Sequence, residues 1–318
     1  MKKLIALLLA VMMLVSLTAC GGSSKKDDKF VVGVVQLVPH VALDAATQGF
    51  VDRLTEILGE ENVEIQVKVA AGDSATCAPI VTDFVSQNVD LIMANATPAL
   101  QAAAAATADI PILGTSVTEY GVAMGIEGFT GTVGGNVSGT SDLAPLDQQA
   151  AMVKEWFPDA QNVGLLYCSA EPNSQYQVDT VQAFLEGMGF TCTQYPFADS
   201  NDMAAVTSNA VANSDVIYLP TDNTVASSTG IIDGICQPAG VPVIAGEEGI
   251  CGGCGVATLS ISYYDLGYTT GQMAAKILKG EGDISTMKIE YAPATKKYNA
   301  EICTALGLTA PEGYAPIG

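Results

Sequence analysis

The sequence has 318 residues, of which 49% are hydrophobic and 15% are charged. A chain of this length and composition can form two domains with their own cores, and its composition excludes a disordered protein. Its formal net charge of −21 repels phosphate backbones, which argues against a nucleic-acid partner. We expect the acidic residues to cover a solvated surface; an acidic docking face for a partner protein is the alternative.

The amino terminus has the pattern of a bacterial lipoprotein signal. Lys2 and Lys3 form a positive region, and the apolar run 4–14 is too short to span a membrane as a mature helix. Small residues then precede Cys20, as in the lipobox where that cysteine is lipidated. We predict a signal peptide and lipobox at 1–20, a flexible tether at 21–29, and an extracytoplasmic protein anchored to the cell membrane through Cys20. An ordinary secretory signal with a chance cysteine is the alternative.

Strand-like and helix-like segments alternate along the first half of the mature chain. Phe30–Val35 is an apolar strand that ends in a polar loop with His40, and apolar residues then repeat at helical spacing to residue 58. The alternation continues with predicted strands at 63–69, 89–94 and 110–113, predicted helices at 74–87 and 97–107, and a glycine-rich connection at 115–135. Pro98 favours a helix start at this point, with Thr97 as its cap.

The same pattern restarts after a polar, extended segment at 136–142, where we place a boundary between two lobes. Predicted strands follow at 163–167, 190–195, 216–219, 241–244, 256–259 and 289–291, predicted helices at 145–157, 175–188, 201–211, 223–236, 264–279 and 297–306, and a loop at 246–255. Strands separated by helices of this length imply parallel sheets with helices on both faces and right-handed crossovers. We therefore predict an α/β fold with two doubly wound parallel-sheet lobes.

The cysteines do not form a recognisable metal or disulfide framework. The chain has eight, and the odd number that follows Cys20 cannot all pair. Cys251 and Cys254 are the one close pair, but the sequence has no second CxxC and no histidine at ligand spacing, so we expect no structural zinc. A redox motif would begin a helix after a strand, whereas the glycines here predict a loop. We expect a local disulfide or two free thiols.

The sequence patterns of common enzymes are missing. His40 is the only histidine, so a Ser-His-Asp triad would have to use it as the base. No GxSxG elbow follows a predicted strand, and the chain has no GxxxxGK[ST] phosphate loop and no GxGxxG after its first strand. We therefore expect a binding protein without a cofactor or a metal. An extracellular redox or hydrolytic enzyme that uses Cys251, Cys254 or His40 is the alternative.

Polar residues follow the carboxyl ends of several predicted strands, where open α/β sheets bind ligands. They are Gln36, His40, Asn95, Thr97, Thr118 and Glu119 in the first half and Asn173, Ser174, Asp222, Asn223 and Glu247 in the second. Each has a structural alternative. Thr97 and Asp222 can serve only as helix caps. Asn173 and Ser174 can be turn residues, and His40 a partly buried loop histidine.

These residues lie in segments that together resemble one known group, the tryptophan/tyrosine-binding type of ABC transporter substrate-binding lipoprotein. The segments are 36–50 with its HxxLDAAxxGF core, 96–99, 136–139, 173–174, 220–223 and 264–267. The resemblance covers nearly the whole mature chain in order. It implies the type I periplasmic-binding-protein fold, in which two doubly wound lobes are joined by a three-strand hinge. The first lobe would comprise 30–138 and 263–286, and the second 139–262 and 287–318.

The resemblance also implies a function, the capture of an amino acid in the cleft by hinge closure and its delivery to an ABC permease. The expected ligand is aromatic: tryptophan, tyrosine or phenylalanine. We expect a monomer. A sensing receptor of the same fold that signals to a membrane partner is one alternative, and a binder of another small polar solute is a second. The loop at 249–255 with its two cysteines departs from the family and lies near the expected cleft.

The expected roles of the candidate residues follow from the chemistry of an amino acid. An α-carboxylate suits the amino terminus of the helix opened by Thr97, with Asn173 or Ser174 of the other lobe completing its hydrogen bonds. The α-ammonium needs an anion, for which the candidates are Asp222 first and then Glu247 and Glu119. The aromatic side chain would be held by three residues of the first lobe: His40, Leu43 and Tyr120.

Overall fold

The structure of the protein is a computed structural model that describes residues 29–72 and 74–317. The predicted signal peptide and Cys20 lie outside the described residues. The strands are β1 (Phe30–Gln36), β2 (Val63–Val69), β3 (Leu91–Asn95), β4 (Ile112–Val117), β5 (Val137–Ser141), β6 (Asn162–Cys168), β7 (Thr191–Phe197), β8 (Val216–Leu219), β9 (Val243–Ala245), β10 (Ala257–Ser260), β11 (Glu290–Tyr291), β12 (Thr295–Tyr298) and β13 (Ala315–Pro316). The helices are α1 (Val41–Leu58), α2 (Ser74–Ser86), α3 (Thr97–Ala106), α4 (Tyr120–Met124), α5 (Leu146–Trp156), α6 (Pro172–Gly187), α7 (Ser200–Asn213), α8 (Asn223–Ala226), α9 (Thr229–Ala239), α10 (Glu248–Cys254), α11 (Tyr263–Leu278) and α12 (Ala300–Ala305), with a 3-10 turn at Ile284–Thr286.

Two sheets organise the chain into two lobes. The first sheet has the order β11-β5-β4-β3-β1-β2, and all its neighbouring strands are parallel. The second has the order β13-β12-β10-β9-β8-β6-β7 and is parallel except where β12 runs antiparallel to β10. The predicted fold class, two doubly wound parallel-sheet lobes, is confirmed.

Helices cover both faces of the first sheet. Val32 and Val34 of β1 pack with apolar residues of α1 and α11 on one face. Val35 belongs to the core on the other face, together with apolar residues of α2 and α3. Because successive residues of a strand point to opposite faces, a strand buried on both sides needs the continuous apolar run seen in β1. The second lobe repeats this arrangement, with Leu165 and Leu166 of β6 in separate cores.

The chain crosses between the two lobes three times. The connection 142–145 leads from β5 of the first sheet to α5 on the second lobe, and 261–262 leads from β10 back to α11 on the first lobe. The connection 292–294 then joins β11 of the first sheet to β12 of the second. The first sheet therefore extends past the predicted lobe limits at 138 and 286, because β5 and β11 both belong to it.

The segment 246–255, predicted as a loop, contains the helix α10. Hydrogen bonds at the two ends of α10 explain why this glycine-rich stretch is helical. Glu247 accepts hydrogen bonds from the first free N–H groups of the helix, and Asn299 donates to the carbonyl oxygens of Cys251 and Gly252 at its other end. Capping of one terminus by the adjacent Glu247 and of the other by the distant Asn299 compensates for the weak helix propensity of glycine.

Three other predictions of local structure were wrong. The predicted helix 223–236 is interrupted at 227–228, where the Ser227 hydroxyl donates to the Thr224 carbonyl oxygen and competes with the backbone. The predicted helix 297–306 begins only at Ala300, since the preceding residues pair with β10. Thr97 is not a cap, because it lies within α3 and Ala96, at φ 91°, precedes it.

Helices α1 and α11 approach each other through glycine. A β-carbon at Gly49 would overlap the carbonyl oxygen of Tyr264, and one at Gly267 would overlap the carbonyl oxygen of Ala46. The two backbones can touch because neither glycine carries a side chain. This contact attaches α11 to the first lobe, although the helix directly follows β10 of the second lobe.

We predict that Gly267→Ala lowers the free energy of unfolding by about 3 kcal/mol, because the added methyl group forces two helix backbones apart. Urea denaturation measures the change. The matched control is Gly234→Ala in α9, where a β-carbon meets no described atom within 4 Å. Alanine there should raise stability by about 0.5–1 kcal/mol through helix propensity alone. Equal effects of the two substitutions would contradict the packing argument.

Candidate ligand-binding site

A small cavity lies between the two lobes, beyond the carboxyl ends of their strands. It is lined by residues of both lobes: His40, Leu43, Ser116, Thr118, Asp142, Asn173, Thr221, Asp222, Asn223, Ala226, Glu247 and Tyr263. The volume open to the centre of a water-sized sphere is about 10 Å³, close to the space that one water molecule needs. In this arrangement of the lobes, the cavity accommodates a small polar group.

Asp142 stands directly after β5, in the first connection between the lobes. The Tyr263 hydroxyl donates to its Oδ2 at 2.9 Å, while its Oδ1 has no hydrogen-bond partner among the described residues. Burial raises the pKa of Asp142 to about 6, and hydrogen bonds from Tyr263 and Thr118 oppose that shift. Asp142 therefore has an acceptor atom available inside the cavity.

Asp222 follows β8 and caps α8, as the sequence predicts. Its Oδ1 accepts from the backbone N–H of Val225 at 2.9 Å, and its Oδ2 accepts from that of Cys168 at 2.7 Å. Burial, and secondly the nearby Glu171 carboxylate, raise the pKa of Asp222 above its ordinary value, although both backbone bonds favour the ionised form. The carboxyl group is fixed in position by the start of a helix.

Glu247 follows β9 and occupies the corresponding position before α10. Its two oxygens accept from the backbone N–H groups of Gly249 at 2.6 Å and Ile250 at 2.5 Å. Burial raises the pKa of Glu247 to about 7, against the effect of these two bonds. Two carboxyl groups of the second lobe are thus held in place by helix caps beside the cavity.

Asn173 presents an acceptor from the second lobe. Its Nδ2 donates to the Thr221 carbonyl oxygen at 3.2 Å and to Glu171 Oε2 at 3.3 Å. Its Oδ1 is buried and has no partner within the described chain. The amide is therefore oriented by its nitrogen, which leaves its oxygen free for a donor.

His40 and Asn223 join the two lobes directly. His40 Nε2–H donates to Asn223 Oδ1 at 3.3 Å, and Asn223 Nδ2 donates to Glu171 Oε2 at 2.7 Å. Burial lowers the pKa of His40, while the bond to Asn223 and the charge of Glu171 act in the opposite direction. The histidine lines the cavity together with Leu43.

Seven of the twelve candidate residues line the cavity: His40, Leu43, Thr118, Asn173, Asp222, Asn223 and Glu247. The structure places the other five outside its lining, and each has a local role. Gln36 bonds Asp44 and Thr47. Glu119 caps α4, and the Tyr120 hydroxyl donates to the Thr140 carbonyl oxygen. Thr97 and Ser174 are buried within their helices.

Five lining residues are absent from the predicted set: Ser116, Asp142, Thr221, Ala226 and Tyr263. Ser116 adopts a left-handed φ of 53° where the pairing of β4 with β5 changes register. Its Oγ is also buried and makes no hydrogen bond to a described residue. Asp142 could have been found from the sequence, because it lies at the predicted lobe boundary. The backbone irregularity at Ser116 has no signal in the sequence.

The lining combines three carboxyl groups with no lysine or arginine among these described residues. The described residues also contain no group of three or more His, Cys, Asp or Glu that could hold a metal ion. This lining suits a cationic group better than an anion or a metal.

Cys251 and Cys254 are unbridged, buried thiols within α10, and burial raises the pKa of both. Thiols in this state are weak nucleophiles.

Comparison with known proteins places the chain in a family. The sequence model described as ABC transporter substrate binding protein matches residues 31–313. A tyrosine-binding protein of Clostridioides difficile is 34% identical over 305 residues, which cover 91% of this chain and 88% of the relative.

Two solved structures have the same two-lobe architecture. An ABC domain from Streptococcus pneumoniae in complex with L-Trp is 30% identical, with a TM-score of 0.86 over 91% of this chain and 100% of that one. A ligand-free, open substrate-binding protein with adhesive properties from Clostridium difficile is 38% identical, with a TM-score of 0.69 over 90% of this chain and 98% of that one. The chain therefore belongs to the ABC transporter substrate-binding proteins and has the type I periplasmic-binding-protein fold.

Proposed function

We propose that the protein is the extracytoplasmic solute-binding lipoprotein of an ABC importer and that it captures an aromatic amino acid between its lobes. A relative that binds tyrosine and a structural neighbour that holds L-Trp support this ligand class. Tryptophan, tyrosine or phenylalanine would be bound without chemical change and passed to the permease.

The observation that carries the proposal is a set of buried polar atoms without partners around the cavity. Asp142 Oδ1 and Ser116 Oγ on the side of the first lobe, and Asn173 Oδ1 on the second, make no hydrogen bond to a described residue. Buried polar atoms in native proteins nearly always have a partner. An α-ammonium group has three N–H donors, so it can satisfy acceptors of both lobes at once.

We propose that the ligand closes the hinge. The structure is more similar to the L-Trp complex, at a TM-score of 0.86, than to the ligand-free open protein, at 0.69. The open protein nevertheless has the higher sequence identity, 38% against 30%. The contact of His40 with Asn223 belongs to this closed arrangement. A ligand that bonds both lobes shifts the hinge equilibrium by its differential affinity for the closed state.

The proposed anchor uses the part of the chain before the first lobe. Within the described residues, no helix has the length and apolar character that crossing a membrane requires. We propose that a lipid on Cys20 holds the protein at the outer face of the membrane. The tether at 21–29 then lets the two lobes reach the permease.

Asp142→Asn should weaken the binding of L-tryptophan or L-tyrosine roughly 100-fold, since truncating one partner of a buried charge pair costs about 3 kcal/mol. Calorimetry on the mature domain measures the loss. The matched control is Asp233→Asn, because Asp233 also has a buried oxygen without a described partner but does not line the cavity. Unchanged affinity in Asp142→Asn would remove it from the site. No heat from the wild type with any aromatic amino acid would refute the proposed ligand class.

The stability of the ligand-free protein should fall as pH rises. Burial raises the pKa of Asp142 to about 6 and of Glu247 to about 7, whereas carboxyl groups of an unfolded chain titrate near pH 4. The folded state then binds more protons than the unfolded state between these values. This contribution is fully present below about pH 4 and is lost as pH rises through 6 to 7. Thermal unfolding at pH 5 to 8 measures it.

Ligand affinity should respond to pH in the opposite direction. A bound ammonium favours ionised carboxyl groups, so affinity should increase by about tenfold from pH 5 to pH 7 as the bound protons are released. Calorimetry in buffers of different ionisation enthalpy detects that release. Asp142→Asn should make the ligand affinity less dependent on pH. An affinity that decreases with pH would contradict the ammonium assignment.

His40→Ala should raise the dissociation rate of the ligand about threefold and leave the association rate unchanged, because the bond to Asn223 exists only with the lobes closed. Stopped-flow measurement of the ligand-induced signal separates the two rates. His40→Gln retains an N–H donor and should lie closer to the wild type. A change confined to the association rate would exclude this role in closure.

A further inference from the structure

A groove lies beside the cavity, where the amino termini of α1 and α11 face the second lobe. On the same measure its volume is about 520 Å³, against about 10 Å³ for the cavity. Most of its wall is apolar, with Val41, Ala42, Ala45, Ala226, Ile261 and Tyr264 on its surface. Ligand sites are usually apolar spaces of this size with a few placed polar groups.

The groove is continuous with the cavity. Four residues line both spaces: His40, Ala226, Glu247 and Tyr263. A group held at Asp142 and Asn173 therefore lies in a space that directly adjoins the groove.

A second space, which we call the vestibule, is also lined by residues of both lobes and is the competing location for a bulky group. Its volume is about 480 Å³, and it shares one lining residue, Asn223, with the cavity. Its wall includes Glu171 and Asp199. The wall of the groove also has charged residues, Glu248 and Lys297, but it offers more apolar surface and shares four lining residues with the cavity.

Resting on the function proposed above, we propose that the groove is the subsite for the side chain of the ligand, with the α-ammonium in the cavity and the aromatic ring in the groove. The cavity has room for about one water molecule, which fits an ammonium group and excludes an indole or phenol ring. The ring then reaches the apolar surface of the groove beside His40 and Tyr263, which line both spaces.

Exposure of apolar side chains along the groove supports this assignment. Val41 is 76% exposed and Tyr264 is 40% exposed, and both line the groove. A bound ring would remove part of this surface from water, which favours binding. Because Val41 lines the groove and is largely exposed to solvent, we expect the subsite to admit aromatic amino acids with further substituents on the ring.

Paired tryptophan substitutions decide between the groove and the vestibule. Ala45 lines the groove and Ala170 lines the vestibule, and neither lines the cavity. Ala45→Trp should weaken L-tryptophan binding about 30-fold, the value of burying one large apolar side chain, while Ala170→Trp should leave the affinity nearly unchanged. Thermal unfolding of both variants verifies folding. Loss of affinity in Ala170→Trp alone would overturn the assignment.

Photolabelling locates the ring without a substitution that could hinder closure. After illumination with 4-azido-L-phenylalanine, mass spectrometry should find the label on segments 41–45 and 261–264, and excess L-tryptophan should prevent labelling. Label on 168–171 or 198–200 would overturn the subsite while the proposed function stands. Absence of any L-tryptophan-sensitive label, with no calorimetric binding of aromatic amino acids, would overturn both.

A ring-extended ligand tests the open end of the groove. O-benzyl-L-tyrosine should bind at least as tightly as L-tyrosine, since its second ring covers more of the apolar wall. Ala45→Trp should abolish this tolerance, whereas Ala170→Trp should retain it. Much weaker binding of the extended ligand to the wild type would show that the ring is enclosed elsewhere and overturn the assignment.

Discussion

Three carboxyl groups lie buried beside one cavity, and the described residues around it supply no lysine or arginine to balance them. Moving a carboxylate out of water is unfavourable unless hydrogen bonds replace its hydration. Asp222 and Glu247 obtain those bonds from backbone N–H groups at the starts of α8 and α10. Asp142 is bonded by Tyr263 and retains one oxygen without a described partner. Among these three carboxyl groups, hydrogen bonding within the described residues is therefore incomplete only at Asp142.

The position of Asp142 makes the charge inside the cleft depend on how the two lobes are arranged. Asp222 and Glu247 are fixed on the second lobe by the same bonds that begin two of its helices. Asp142 lies in a connection between the lobes, so the hinge motion proposed above would change its distance from the second lobe. A cation placed among the three would then be bound most strongly with the lobes closed, where all the negative groups surround it. The same cation allows buried carboxyl groups to ionise without a protein partner.

The sequence predicted the parts of this arrangement that depend on local pattern. Apolar runs located the strands, and polar residues at strand ends included Asp222 and Glu247. The pair of Asp142 and Tyr263 was missed because the two residues are 121 positions apart and meet only where the chain crosses between lobes. Thr97 was expected to bind the ligand because a helix amino terminus favours anions. The structure places Thr97 outside the lining of the cavity, and its neighbour Pro98 lines the vestibule. Which strand end faces which space is a property of the assembled lobes, and no local pattern encodes it.

The close contact of α1 with α11 links the stability of the fold to the shape of the site. The two helices begin at the groove, where Ala45 and Tyr264 form neighbouring parts of its wall. Gly49 lies against the carbonyl oxygen of Tyr264, so the spacing of the backbones at this glycine sets the distance between those wall residues. Interiors packed at this density transmit a displacement of a helix to its neighbours. A side chain that separated the two helices would therefore widen the groove as well as weaken the core, which makes one backbone contact responsible for both properties.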